Sequence, residues 1–364
     1  MKIAVVGIKG IPGHHGVEVV VDSLVPNLVD LGFQVTVYGY DDYTEPSDDY
    51  HGARIKTVPG SSSKNFEMIT HMWNASLDTR REDYDLVHIH STDPCLLAWL
   101  PKAKYGVVAT SHGQAYIRKK WGGGAKMMSR IAERFFIRMP RAVTSVSKPL
   151  CNYYKKRYSK DVIYIPNGIE MRDTPDGRWL KRWELEPGGY IFCSAGRIER
   201  TKGLHTLMEA YSMTARGLPL VIAGGGSATD SNYFSELREN KPDGVLFTGF
   251  LSGDEYYSLF AHARIFVFPS EYEAMSIALL EGLSFGLPVI YSNIPENEAV
   301  ACGQGYDFQV SDAGSLAERL VYVLEHRDEA QVVGDRARAH IRKNHDWTEI
   351  AKRYGEVYRS LAGG

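Results

Sequence analysis

Short apolar runs rich in β-branched residues alternate along this chain with longer segments whose apolar positions recur every three or four residues. Lys2–Gly7, Phe33–Gly39, Arg54–Val58, Asp85–His90, Tyr105–Ser111, Ala142–Val146 and Val162–Ile165 read as strands, Gly16–Leu31 reads as a helix, and helical patterns separate most of the other strands. This alternation is the signature of βαβ units and a parallel sheet. Val162–Ile165 runs into Pro166-Asn167-Gly168, a turn, and a polar stretch without clear periodicity follows from about Glu170 to Gly189. The pattern then restarts, with strands at Tyr190–Ala195, Leu218–Ala223, Val245–Thr248, Ile265–Phe268 and Pro288–Tyr291 and helices at Gly203–Arg216 and Ile277–Phe285.

Two successive Rossmann-like domains, 1–167 and 168–344, are the economical expectation. The last helix, Trp347–Leu361, follows an irregular His345-Asp346 and could pack on either half. A length of 364 residues suits two domains at roughly 100 to 200 residues each. Ligands of such sheets bind outside the carboxyl ends of the strands. Two facing domains would then place two sets of strand ends around one cleft, so informative residues should lie just after strands.

Composition narrows the class. With 44% hydrophobic and 24% charged residues the chain is neither disordered nor collagen-like. No apolar run approaches the roughly 18 to 20 residues of a membrane span. The first residues, MKIAVVGIKGIPG, break into glycines too soon for a signal peptide and read as a first strand. Cys95, Cys151, Cys193 and Cys302 stand alone, which implies reduced thiols, a cytoplasmic location and no structural zinc.

The net charge of −2 hides an asymmetry: residues 101–160 hold fifteen Lys/Arg and a single acid, Glu133. Such a block implies an anionic partner. Within it, Tyr116–Trp121 and Lys126–Arg138 interleave bases with large apolar side chains, the pattern of an interfacial amphipathic helix. A membrane surface met through residues 116–138 is the expected partner, with Trp121, Phe135 and Phe136 as anchors where they face outward. The other reading is a solvated basic face on a core helix.

The chemistry-bearing residues do follow strands. The first strand enters Gly7-Ile-Lys-Gly10-Ile-Pro12-Gly13-His-His-Gly16 and then a helix. Glycines such as Gly13 and Gly16 let a backbone approach a phosphate at a helix N-terminus, although a plain tight turn uses the same residues. The run is not a clean GxGxxG, and Asp41 lies too far along to hold a ribose, which speaks against dinucleotide binding. His112-Gly113 closes another strand. A histidine there suits a binding site or serves only as a hydrogen-bonding residue.

In the second half Arg197 ends a strand and Lys202-Gly203 precedes a helix. A planar fork and a point charge together suit a diphosphate. After Phe268 come Glu273, Met275, Ser276 and Ile277, then Glu281 on the helix that Ser276 would cap. The amides of Met275, Ser276 and Ile277 would meet an anion. Carboxylates beside it make sense if they bind hydroxyls, as a sugar and a ribose offer.

These residues carry a resemblance that covers nearly the whole chain. Ala195-Gly-Arg197…Lys202-Gly203, Glu273-x7-Glu281, Ile165-Pro-Asn167-Gly168-Ile, Ile222-Ala-Gly224-Gly225-Gly226, His112-Gly113 and Asp346-Trp347…Tyr354…Tyr358 resemble motifs of the retaining, metal-independent glycosyltransferases of the GT-B fold. The runs Gly10-Ile-Pro12…Gly16-Val-Glu18 and His112-Gly113…Lys120-Trp121 resemble a rhamnosyltransferase-like subgroup. In place of the Gly-Phe-Gly usual after the first Glu stands Ala274-Met275-Ser276, which would be strained if positions 274 or 276 required positive φ.

The resemblance implies two Rossmann-like domains around a cleft, with the C-terminal helix, 345–364, crossing back to the first. It implies transfer of a hexose from a nucleoside-diphosphate sugar to a glycan or lipid-linked anionic acceptor, with no metal, no other cofactor and no nucleic acid involved. Arg197 and Lys202 would hold the diphosphate, Glu273 the sugar and Glu281 the ribose, with Gly224-Gly225 in a loop near the nucleotide, while His112 would orient the donor sugar and the acceptor and not act as nucleophile. A nucleoside-diphosphate-sugar epimerase, an oxidoreductase and a non-catalytic sugar or lipid binder are the rivals.

Overall fold

The computed structural model describes residues 1–13, 16–61, 63, 66–114, 123–214, 217–226 and 231–363. The chain separates into two compact units, Met1–Gly168 with Trp347–Gly364, and Ile169–Asp346. In the first, strands β1 (Lys2–Val6), β2 (Gln34–Tyr40), β3 (Ser47–Tyr50), β4 (Ala53–Val58), β5 (Leu86–His90), β6 (Val107–Ser111), β7 (Ala142–Ser145) and β8 (Ile163–Tyr164) form one sheet in the order β3-β4-β2-β1-β5-β6-β7-β8. Every pairing is parallel except β3 with β4. The central strands are buried along almost their whole length, as a sheet covered on both faces requires. The covering helices are α1 (Val17–Asp30), α2 (Glu67–Thr79), α3 (Gly123–Arg138) and α4 (Lys148–Tyr158). Helix α1 buries Val20, Val21, Leu24, Val25 and Leu28, an apolar stripe at helical spacing.

The second unit repeats the plan. Strands β9 (Ile191–Ile198), β10 (Leu220–Gly226), β11 (Val245–Gly249), β12 (Ile265–Phe268), β13 (Val289–Ser292) and β14 (Tyr306–Phe308) lie in the order β11-β10-β9-β12-β13-β14, all parallel. Helices α5 (Leu204–Thr214), α6 (Ser231–Glu239), α7 (Gly253–Ala261), α8 (Ile277–Ser284), α9 (Pro295–Ala301), α10 (Ala313–Glu325) and α11 (Arg327–Asn344) complete it. Ile191, Leu207, Ile222, Val267 and Leu320 belong to its core.

The last helix, α12 (Trp347–Ala362), belongs to the first unit. It buries Ile350, Ala351, Tyr354, Val357 and Tyr358, and the Tyr358 ring meets Phe33 edge-on at 5.6 Å. The turn at Gly168 lies under Trp347, where an added Cβ would stand 2.5 Å from the indole.

Several local features depart from the sequence pattern. The polar stretch 170–189 contains a 3-10 segment, Gly177–Trp183, anchored by the buried Leu180. β3 (sequence SDDY) is an acidic edge strand without apolar alternation, and β14 has three residues. On α3, Phe136 is fully buried against Tyr154, so it is no surface anchor, whereas Met127, Ile131, Arg134 and Arg138 are exposed. Glu133, the acid of the basic block, is buried and accepts hydrogen bonds from Gln114, Tyr153 and Tyr158. Tyr116, Arg118, Lys119, Lys120 and Trp121 lie outside the described residues. Among the described residues no helix is long and apolar enough to cross a membrane.

Candidate active site

In the second unit β9 continues past Ala195 because a bulge in its pairing with β10 lets the ladder resume, setting Gly224 opposite Gly196 and Gly225 opposite Arg197. Gly224 and Gly225 are therefore strand residues and not the loop that the resemblance implied. A Cβ at Gly224 would stand 3.2 Å from the carbonyl oxygen of Gly196, so glycine lets the two strands approach closely at this point. The Arg197 guanidinium is exposed at the strand end. A 3-10 turn, Arg200–Lys202, follows and stops at Gly203 in the left-handed conformation (φ +66°). A Cβ at Gly203 would stand 2.1 Å from the carbonyl oxygen of Pro269. Glycine is thus what lets this turn lie against the loop after β12, and Glu271 N donates to Thr201 O across the same contact.

That loop carries Glu273. Its Oε1 lies 2.5 Å from Lys202 Nζ, both side chains being mostly buried. The pairing explains how a carboxylate is tolerated next to a cationic anion site: each neutralises the other until a stronger anion arrives. Ser276 caps α8, its Oγ accepting from Leu279 N at 3.3 Å. The remaining amides of the first turn, from Ile277, have no acceptor within the helix and face outward with the positive end of its dipole. Met275, one residue before the cap, is buried. Ser276 has φ −84°, and neither position 274 nor 276 is among the positive-φ residues, so the Ala-Met-Ser sequence carries no such strain.

Glu281, one helical turn further on, is 6% exposed. Burial pushes its carboxyl up to about 7, while hydrogen bonding from Tyr256 and Tyr257 and the charge of Arg172 pull the other way. Tyr256 Oη donates to Glu281 Oε2 at 2.8 Å and also lies 2.8 Å from Ser194 Oγ on β9. The Arg172 guanidinium stands over the Tyr257 ring at 4.3 Å. Nothing in the sequence singled out Tyr256, Tyr257 or Arg172. Ser194 alone had a signal, its place near a strand end. Glu296, in the first turn of α9, is a further carboxyl of this region; burial and then the charge of Glu273 raise its pKa.

In the first unit His112 follows β6 directly, and its Nε2 lies 3.0 Å from Nδ1 of His90 at the end of β5. Burial pushes the His112 pKa down to about 3, so the ring is neutral. The glycine-rich run before α1 looks less open to a phosphate than its sequence suggests. Glu18 Oε1 accepts from Lys9 N at 3.2 Å and Asp22 Oδ2 from Gly13 N at 3.4 Å, so carboxylates already occupy two of its amides. Gly16 has φ +58° and forms the N-cap of α1 without a side chain. Among the described residues no group of three or more His, Cys, Asp or Glu is placed to hold a metal ion.

Comparison with known proteins bears on this arrangement. Residues 14–173 match the model of Glycosyltransferase Family 4 and residues 177–340 that of Glycosyl transferases group 1. The O-antigen chain mannosyltransferase C of Escherichia coli is 26% identical over 292 residues, covering 77% of this chain and 76% of that protein. The structure of sucrose-phosphate synthase from Thermosynechococcus elongatus superposes with a TM-score of 0.83 at 20% identity, covering 100% of this chain and 99% of that one. An Anabaena protein in complex with UDP and glucose superposes with a TM-score of 0.81 at 16% identity, covering 99% of this chain and 100% of that one. The two parallel-sheet units are those of the GT-B fold. The chain belongs to the group 1, family 4 glycosyltransferases and is a glycosyltransferase enzyme.

Proposed function

We propose that the protein is a retaining glycosyltransferase that moves a hexose from a nucleoside-diphosphate sugar to a hydroxyl of a glycan or lipid-linked acceptor, in the synthesis of a cell-surface polysaccharide. The observation that carries this reading is the cluster at the strand ends of the second unit: exposed Arg197, Lys202 paired with Glu273, the α8 N-terminus and the buried Glu281. The E. coli relative named for O-antigen chain mannosyl transfer, and the Anabaena structure with UDP and glucose, support the substrate classes.

In this mechanism Arg197, Lys202 and the α8 amides stabilise the departing diphosphate in place of a divalent ion. When a diphosphate draws Lys202 away, Glu273 is released to accept from sugar hydroxyls. Glu281 accepts from the ribose, and His112 orients the sugar. As the bond from the anomeric carbon to the phosphate oxygen breaks, the acceptor oxygen bonds to that carbon on the same face, and its proton passes to the departing phosphate oxygen.

Nucleoside diphosphates will therefore stabilise the protein in chelator-treated buffer. A ligand at 100 times its dissociation constant adds about 2.7 kcal/mol. Absence of any thermal shift with UDP, dTDP, GDP or ADP, with or without magnesium, would overturn the donor assignment. An epimerase would convert a sugar nucleotide that binds without consuming an acceptor.

The acceptor side of the proposal rests on the basic first unit, with exposed Met127 and Ile131 set among Arg130, Arg134 and Arg138 on α3. Each base near an anionic bilayer contributes about 1 kcal/mol, decaying over a Debye length of about 10 Å at 0.1 M salt. Co-sedimentation with vesicles will rise with anionic lipid content and fall with salt, and Lys126, Arg134 and Arg138→Glu will reduce it while nucleotide binding persists. Co-sedimentation that is absent, or indifferent to lipid charge, would refute docking on a bilayer through these bases.

A further inference from the structure

A line of three histidines leads from the sheet interior of the first unit to its strand ends. The alternation of β5 puts His88 and His90 on one face, where their ring centroids are 4.0 Å apart, and both are fully buried. β6 runs alongside with Thr110 opposite His90, and the ring of His112, two residues on, lies within 25° of parallel to that of His90 with centroids 5.2 Å apart. His88 uses both nitrogens: Nδ1 meets Tyr358 Oη and Nε2 meets Thr110 Oγ1, each at 2.7 Å. His90 does not. Its Nδ1 lies 3.0 Å from His112 Nε2, but its Nε2 is buried and has no partner.

That orphan nitrogen decides where the protons lie. Burial keeps the imidazoles neutral, so each carries one proton, and one proton must bridge His90 Nδ1 and His112 Nε2. If His112 supplied it, the proton of His90 would sit on Nε2 as a buried N–H with no acceptor. Buried donors without partners are rarer than under-used acceptors. The proton in the bridge therefore belongs to His90, which leaves only a lone pair at the buried Nε2. His112, accepting at Nε2, must then carry its own proton on Nδ1, the one ring nitrogen it has left for a ligand.

We propose that His90 is a positioning residue that fixes His112 as the Nδ1–H tautomer, so that His112 meets the donor sugar as a hydrogen-bond donor to a hydroxyl or ring oxygen. This rests on the reading of His112 as the residue that orients the sugar. A strand-end histidine that could flip between tautomers would offer a donor or an acceptor equally. One locked from beneath presents a single kind of contact, and needs no reorganisation when the sugar arrives.

The test has two arms. Imidazole ¹⁵N–¹H correlation spectra of the ligand-free protein at neutral pH should show both His90 and His112 protonated on Nδ1. His90→Asn keeps an N–H close to the position of Nδ1 and should preserve the His112 pattern. His90→Leu removes it and should release His112 to the other tautomer or to a mixture. A wild-type His112 protonated on Nε2 overturns the proposal, whatever the variants do.

In the second arm, UDP, UDP-glucose, GDP and GDP-mannose are titrated into all three proteins. For whichever pair binds, His90→Leu should lower the affinity of the sugar nucleotide relative to its bare nucleotide by roughly three- to tenfold, the worth of one neutral hydrogen bond, and His90→Asn should restore it. An unchanged ratio in His90→Leu overturns the link to the sugar. If no nucleotide binds the wild type, the donor reading fails instead, and the spectra still decide the tautomer.

Discussion

Replacing Glu281 with glutamine will make the ligand-free protein more stable at pH 8 and its nucleotide binding weaker. The carboxyl is raised from 4.5 to about 7 by burial, so between those values the folded state holds a proton that the unfolded chain has released. Stability contributed by this group is thus present below pH 4.5, falls as pH rises through that window, and is gone above 7. At about 1.4 kcal/mol per pH unit the full penalty is about 3 kcal/mol. Glutamine removes it while its carbonyl still accepts from Tyr256. Thermal unfolding of the two proteins should coincide near pH 4.5 and diverge in favour of the variant by pH 8. The ribose meanwhile loses a charged acceptor, a loss of about 1.5 to 3 kcal/mol, or more than tenfold in affinity. A variant no more stable than wild type at pH 8 would show that the ionised carboxylate is adequately solvated where it lies.

Gly203→Ala will be among the most damaging single-methyl additions in the second unit. The left-handed backbone disfavours alanine by about 1 to 2 kcal/mol, and a Cβ 2.1 Å from the Pro269 carbonyl forces backbone to move, for roughly 1 to 3 kcal/mol more. The displacement carries Lys202 away from Glu273, so nucleoside-diphosphate affinity should fall at least tenfold. Gly196 is the control. It has φ +60° and open space around its Cβ, so Gly196→Ala should lose the backbone contribution alone. Equal losses from the two substitutions, by chemical unfolding, would mean that the contact with Pro269 relaxes freely.

The positions of Arg197, Lys202, Glu273, Ser276 and Glu281 were legible because each follows a strand or opens a helix, and local pattern marks those boundaries. The two parallel sheets were legible for the same reason. What escaped is tertiary. Tyr256 reaches Glu281 from α7 and Ser194 reaches Tyr256 from β9, and nothing in the spacing of the three announces that meeting. The resemblance put Gly224 and Gly225 in a loop, and a β-bulge has no distinctive composition that would correct it. His90 reads as one more interior strand residue. Only its unpartnered nitrogen, visible in three dimensions, sets it apart from His88. Phe136 and Glu133 on α3 both turn inward, because α4 supplies Tyr154 for the aromatic ring and Tyr153 and Tyr158 as donors for the acid.

The Lys202–Glu273 pair also sets how ionic strength acts on the donor site. A bare cationic cleft collects small anions from solution and must shed them when a diphosphate binds, so its affinity drops steeply as salt is added. Lys202 carries its counter-ion on the same chain, at 2.5 Å and mostly out of water. Dissolved chloride competes poorly for a place that a tethered carboxylate already fills. The arriving diphosphate exchanges with that carboxylate, and the number of free ions released to solution is smaller than the count of positive side chains around the phosphate. Of the two bases at the site, the exposed Arg197 is the one whose contribution salt will erode.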